Sequence, residues 1–236
     1  MQLSSDEETQ SAHYGIHHSV LIKNIRSRTT IFLARHGQSE WNCQKRVSGQ
    51  LNPPLSLKGV QQSHLLAGVL RHQKISAIYT STLDRAIETA RPTATLHHLP
   101  IQTRDELKEL HCGHIQGRFR DERDPEVRAL WEKRKRNEQF FRLPGGETFA
   151  ELANRVLPCV NNILKNNEGG TVLIVGHRNT NHVIFGSLMQ WPVDRWCNFK
   201  HRSKHLYEIH VGDTPATWTI CFNGPSQGIR QESLIM

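Results

Sequence analysis

Arg35, His36 and Gly37 stand together and could hold a phosphate group. An arginine offers a planar, permanently charged fork that matches phosphate oxygens. A histidine at the end of a strand can present one ring nitrogen to a crevice. A glycine beside it permits a tight turn and close approach of a ligand to backbone. Taken alone, the tripeptide reads better as a loop arginine next to a surface histidine.

The surrounding elements decide whether it is more than that. Thr30 to Ala34 reads as a short buried strand running straight into Arg35. Asn52-Pro53-Pro54 is a turn. Leu57 to Arg71 has helical spacing of Val60, Leu65, Leu66, Val69 and Leu70. Ser76 to Tyr79 reads as a second strand. Ser81-Thr82-Leu83-Asp84 resembles a capping box and predicts a helix from Ser81 to about Thr95, disturbed at Pro92. Arg85 then falls in the first turn, where the helix N-terminus adds positive potential for an anion. Its bland alternative is a solvated residue pairing with Glu88.

Residues 117–143 are charged and read as a helical excursion from the sheet, ended by Pro144-Gly145-Gly146. Thr148-x-x-Glu151 is a second capping box and opens a helix to about Lys165, bent at Pro158. Asn166 to Gly170 is a turn, and Thr171 to Val175 is the strongest buried strand. A helix from about Thr180 to Met189 follows. His205 to Val211 and Trp218 to Phe222 read as late strands at an edge. Strands alternating with helices predict a three-layer α/β/α fold, with a mostly parallel central sheet and helices on both faces. Ligands in such sheets bind where strands end and loops begin. The expected organisation is an N-terminal extension over 1–28, one domain over 29–223 with 117–143 as a helical cover over the site, and a tail over 224–236.

The longer strings carry a resemblance. Arg35-His36-Gly37-Gln38-Ser39-Glu40-Trp41-Asn42 resembles the signature of the histidine phosphatase superfamily, which includes the cofactor-dependent phosphoglycerate mutases. Further matches follow in family order. They are Tyr79 to Ala90, Glu106 to Gly113 with Gly117, Pro144-Gly145-Gly146-Glu147-Thr148, and Val172 to His177. The resemblance spans about Thr30 to Val211.

It implies that His36 attacks phosphorus and becomes a phosphohistidine. Arg35, Arg85 and His177 would bind the equatorial oxygens, and Glu109 would protonate the leaving oxygen and then activate water. These roles fit general chemistry: a neutral imidazole is nucleophilic, covalent catalysis divides a hard step, and cationic donors surround the moving charge. Glu109 also fits an exposed acid pairing with Lys108 or Arg104, with Glu106 close in register. Asn42, Ser48 and Gly49 match positions that touch phosphate or substrate in the family, on a loop that includes Arg46 and Val47. The family usually has glycine after the second histidine; here Arg178 and Asn179 follow His177. Arg178 reads either as a contact to a second anionic group of the substrate or as a solvent-facing cation paired with an acid, with the first preferred. Asn179 joins the expected substrate-binding set.

The formal charge is +8, with 15 histidines and five cysteines in 236 residues. A basic balance favours anionic partners. The cysteines are widely spaced and lack a C-x-x-C pair, which fits a reducing compartment. No apolar run approaches the about 18 residues a membrane helix needs, and Met1 to Gln10 lacks a secretory pattern. The expected location is cytoplasmic. Neither His111-Cys112-Gly113-His114 nor the pairs His17-His18 and His97-His98 has structural zinc spacing, so no metal and no cofactor are expected. Lys133-Arg134-Lys135-Arg136 reads as the solvated face of a helix rather than a nucleic-acid patch. The expected partner is a phosphorylated small molecule, not nucleic acid or a membrane, with a homodimer left open. The expected activity is metal-independent hydrolysis of phosphate monoesters. Phosphoglycerate mutase is the alternative within the superfamily, although the stretch between Glu109 and His177 lacks the long insertion usual in mutases. A non-catalytic phosphate-ester-binding protein on the same fold is the alternative outside enzymes.

Overall fold

In the computed structural model, strand β1 (Thr29–Arg35) is buried along nearly its whole length, on both faces of the sheet. This is why its sequence is a continuous apolar run rather than an alternating one. The residues described are 14–17, 29–198, 201–212, 214–221 and 230–232. They contain six further strands: β2 (Ala77–Thr80), β3 (Ile101–Thr103), β4 (Thr171–Gly176), β5 (His205–Val211), β6 (Ala216–Cys221) and β7 (Arg230–Glu232). The sheet order is β3-β2-β4-β1-β5-β6-β7. The first four positions form a parallel block. The late strands extend it antiparallel.

The helices are α1 (Glu40–Cys43), α2 (Leu57–Leu70), α3 (Asp84–His97), α4 (Pro125–Arg136), α5 (Phe149–Asn166) and α6 (Arg178–Leu188). Chain order and handedness place them. The β1-α2-β2 and β2-α3-β3 crossovers both run outward across the sheet, whereas α5 brings the chain back to β4 between β2 and β1. Right-handed crossovers then put α2 and α3 on one face and α5 on the other. The core divides accordingly. Phe32, Ala34, Ile78, Leu173 and Val175 meet Leu66, Leu70, Ala86 and Ala90. Ile31, Leu33, Tyr79, Val172 and Ile174 meet Leu152, Val156, Val160, Val183 and Ile184 on the opposite face. The architecture is the expected three-layer α/β/α.

Helix α5 starts at Thr148 with the complete reciprocal capping box to Glu151, and its buried positions recur at helical spacing. Ser81 behaves differently from its capping-box pattern. Helix α3 begins at Asp84, three residues later, and its N-cap Leu83 has no side-chain cap bond. Pro92 lies within α3, and Pro158 within α5. Helix α6 begins at Arg178, earlier than its apolar spacing suggested. β3 and β7 were not anticipated, and β7 falls within the expected C-terminal tail.

The cover segment holds α4, started by Asp124 capping the Val127 N–H with Pro125 in the first position. Of the expected N-terminal extension, residues 14–17 belong to the packed structure and the rest lies outside the described residues. Ile16 is 2% exposed in the core. The Asn154 side chain on α5 accepts from the His17 N–H and donates to the Gly15 carbonyl. Tyr14 stacks on Phe140 of the cover segment at 5.1 Å between centroids. No helix among the described residues is long and apolar enough to cross a membrane.

Candidate active site

Register partners Arg35 and Gly176 end the parallel strands β1 and β4. The next residue of each chain segment is a histidine, so His36 and His177 leave the carboxyl edge of the sheet side by side. Their ring centroids are 5.1 Å apart, and the His36 N–H is held by the Gly176 carbonyl at 3.0 Å. A Cβ at Gly176 would fall 2.1 Å from Asn181 Oδ1, so any larger residue would displace the buried Asn181 side chain. Packing requires the glycine at position 37. A Cβ there would lie 2.6 Å from the Gly59 carbonyl oxygen on α2.

His36 Nδ1 lies 2.7 Å from the Gly37 carbonyl. A carbonyl only accepts, so Nδ1 carries the proton and the lone pair is on Nε2. No described residue bonds Nε2. Burial, then the charges of Arg85 and Arg35, push the His36 pKa well below 6.5. The ring is therefore neutral and nucleophilic at neutral pH. His177 is likewise pushed well below 6.5, by burial and then by Arg85 and His36. Its Nε2 lies 2.7 Å from Ser81 Oγ, which already accepts from the Leu83 N–H. With the Ser81 hydroxyl proton assigned to Nε2, the single N–H of His177 falls on Nδ1, a buried atom that no described residue bonds.

Arg85 is 1% exposed. It does not pair with Glu88, which is taken by Arg91. Its Nη1 and Nη2 donate to the Leu51 and Gly49 carbonyls, each at 2.7 Å. One guanidinium thus holds the loop after α1 while Nε stays without a protein partner. Arg35 donates Nη1 to the His201 carbonyl at 3.3 Å, and its Nε also lacks a partner. Burial lowers both guanidinium pKa values to about 10, so both remain cations at neutral pH.

Glu109 is the buried carboxylate of its segment, 9% exposed. Glu106 is exposed, and Lys108 pairs with Asp105 instead. Glu109 Oε1 accepts from the Leu110 N–H at 2.8 Å, the Asn179 N–H at 3.2 Å and Asn179 Nδ2 at 3.1 Å. Oε2 has only a 3.5 Å contact. The charge of Glu109 acts on both Arg35 and Arg85, which places it at the same pocket. The Glu109 carbonyl is held by Gln50 Nε2 and Arg155 Nη2, and Arg155 is in turn fixed by Glu147.

The substrate-binding set divides. Ser48 presents a buried hydroxyl with no partner among the described residues. Gly49 has φ +49° and Gln116 against its Cα, and it gives its carbonyl to Arg85. Asn42 closes the capping box of α1 with Ser39. Asn179 holds Glu109, and its Oδ1 accepts from Arg134 at 2.9 Å. Arg178 is bound bidentately by Glu138 at 2.8 and 3.1 Å, the acid pairing of the second sequence reading, and it also lines the adjacent cleft. The basic run also splits: Arg134 is 1% exposed, while Lys133, Lys135 and Arg136 are exposed. Sequence reasoning missed Ser81 as the partner of His177, and it missed Arg134 and Arg155. Arg134 was detectable, because it stands two helical turns from Val127 on the same face.

Among the described residues, Glu138, His182 and Cys197 bring potential metal-ligand atoms within 4.8 Å of one another. The carboxylate is occupied by Arg178, and burial pushes the Cys197 thiol up to about 12. Beside the site, a cleft of about 670 Å³ is lined by Arg120, Trp131, Lys135, Glu138 and Arg178.

The pocket therefore combines a neutral imidazole with its lone pair available, two buried guanidinium groups, a second neutral histidine and an anchored carboxylate. Known proteins match this chain. A Yersinia pestis protein named "Probable phosphoglycerate mutase GpmB" is 30% identical over 186 residues, spanning 78% of this chain and 86% of that one. Bacillus stearothermophilus YhfR superposes with TM-score 0.69 at 26% identity, over 88% of this chain and 96% of that chain. A mycobacterial glucosyl-3-phosphoglycerate phosphatase, solved with VO3, superposes with TM-score 0.68 at 27% identity, over 78% and 91%. The family model of the histidine phosphatase superfamily (branch 1) matches residues 31–221, and the chain belongs to that superfamily.

Proposed function

We propose that this chain hydrolyses phosphate monoesters of small metabolites, without a metal, through a phosphohistidine on His36. The observation that carries the reading is the tautomer of His36: Nδ1–H is held on the Gly37 carbonyl, and no described residue bonds Nε2. Nε2 attacks phosphorus as the ester P–O bond breaks, and Glu109 gives its proton to the leaving oxygen. Water then attacks phosphorus, its proton passes to Glu109, and the Nε2–P bond breaks to release phosphate. Arg35, Arg85, Ser48 and the Nδ1–H of His177 meet the phosphoryl oxygens throughout, and this preorganised charge replaces what a metal would supply. The cationic lining of the adjacent cleft suits an anionic small molecule rather than a bulky neutral one.

A mutase remains the second reading, supported by the name of the Yersinia relative. The test is phosphate release from a panel of esters without added metal, comparing wild type with His36→Ala and assaying isomerised phosphoglycerate in parallel. Phosphate release that disappears in the variant supports hydrolysis. Isomerisation with little free phosphate supports the mutase, and no turnover by folded wild type overturns both.

A further inference from the structure

Arg134 is a buried guanidinium contributed by the cover helix α4. Its nearest carboxylate, Glu138, is 3.5 Å away and is held more closely by Arg178. Buried charge is costly unless paired, yet the strongest bond Arg134 makes is to a neutral group, Asn179 Oδ1, at 2.9 Å. Asn179 stands between Arg134 and Glu109, and its Nδ2 faces Glu109 Oε1 at 3.1 Å. A side-chain amide has a donor end and an acceptor end, and either can point either way. Between a guanidinium and a carboxylate only one orientation works. Reversing it would set N–H against N–H and oxygen against carboxylate oxygen.

We infer that Arg134 is a positioning residue for the acid. By fixing the Asn179 amide it holds Glu109 through Oε1 and leaves Oε2 to exchange the proton. This rests on the reading of Glu109 as the proton donor. It also ties the acid to the cover segment, because the residue that orients Asn179 comes from α4. The other three cations of the run remain exposed.

The leaving group provides a test. An alkyl ester needs protonation as the P–O bond breaks, whereas an activated aryl ester does not. The value of kcat/KM reports only steps up to phosphorylation of His36. Arg134→Met should lose about tenfold or more in kcat/KM on an alkyl phosphate and less than about threefold on the activated aryl phosphate. Arg134→Lys, which can still donate to Oδ1, should recover part of the loss. In an Asn179→Ala background, Arg134→Met should change the alkyl rate by less than about twofold. Lys133→Met, on the exposed face of the same helix, should change neither ester. Equal losses on both esters, or full additivity with Asn179→Ala, would overturn the assignment.

If Arg134→Met does not fold, Arg134→Lys carries the comparison, and a loss without ester selectivity there overturns the assignment too. The orientation can also be read without turnover. The Asn179 Nδ2 proton resonances should shift and exchange faster in Arg134→Met, and unchanged resonances would reject the proposal even in a protein that hydrolyses nothing. Failure of the phosphatase reading is thereby separated from failure of this one.

Discussion

His36 and His177 sit with ring centroids 5.1 Å apart because the residues before them, Arg35 and Gly176, are register partners on adjacent parallel strands. Two imidazoles at that separation, flanked by two arginines, cannot readily accept protons. Both are held well below the usual 6.5, by burial first and neighbouring cations next.

That depression makes stability depend on pH. In the unfolded chain both histidines titrate near 6.5, so below that pH the unfolded state binds more protons than the folded one. Stability is complete above this value and falls as pH decreases, by about 1.4 kcal/mol per pH unit for each such histidine. Denaturant midpoints measured from pH 7.5 to 5 should drop steadily, and His36→Phe should flatten the slope. An unchanged midpoint across that range would contradict the buried neutral assignment.

Ser81 should affect turnover through His177 and stability through its bond from the Leu83 N–H. Ser81→Ala removes the hydroxyl that orders the tautomer and should reduce kcat/KM about tenfold to a hundredfold. Stability should fall by only about 1 kcal/mol. Steady-state kinetics beside thermal melting checks both, and a loss of stability without loss of rate would return Ser81 to the role of helix cap.

Arg85→Lys keeps a charge but cannot reach the Leu51 and Gly49 carbonyls together, since an ammonium lacks the planar fork. Turnover should fall by about a hundredfold or more. The 48–51 loop should also become easier to cleave in limited proteolysis. Wild-type resistance at that loop would show that other contacts hold it.

Arg178 offers the opposite expectation. Bound by Glu138, with 35% of its side chain exposed, it should contribute about 1 kcal/mol of stability. Arg178→Met should change turnover of an aryl phosphate by less than about threefold. A large rise in KM would restore the substrate contact that its position after His177 first suggested.

Ile16 is 2% exposed and fixed in place by Asn154. Ile16→Ala should cost about 2–4 kcal/mol, measured by chemical denaturation. A neutral outcome would mean that this segment packs without stabilising the domain.

What could be read from the sequence follows from physical scale. β1 and β4 are buried on both faces, so their apolar runs stand out, and α5 carries a complete capping box. β3 has three residues and no fully buried side chain, so nothing in its composition separates it from a loop. Arg35, His36, Arg85, Glu109 and His177 were identified through ordered motifs, and the structure gathers them at one pocket. Ser81 was misassigned because one hydroxyl can cap a helix or hold an imidazole, and only the neighbouring β4 decides. Arg134 was lost among adjacent cations because charge runs are read linearly, whereas a helix sorts them by angle. Arg178 was ambiguous because its partner Glu138 lies on a distant segment.

The strand pairing that sets His36 beside His177 has a consequence during synthesis. β1 is synthesised well before β4, with the cover helix and α5 made between them. His36 and His177 therefore meet only on closing a very long loop, a late and slow kind of contact. A nascent chain carrying Arg35 and His36 has the reactive residues but no pocket. On the proposed function, ester turnover should appear in one step when β4 inserts between β2 and β1, which makes it a reporter of completed folding.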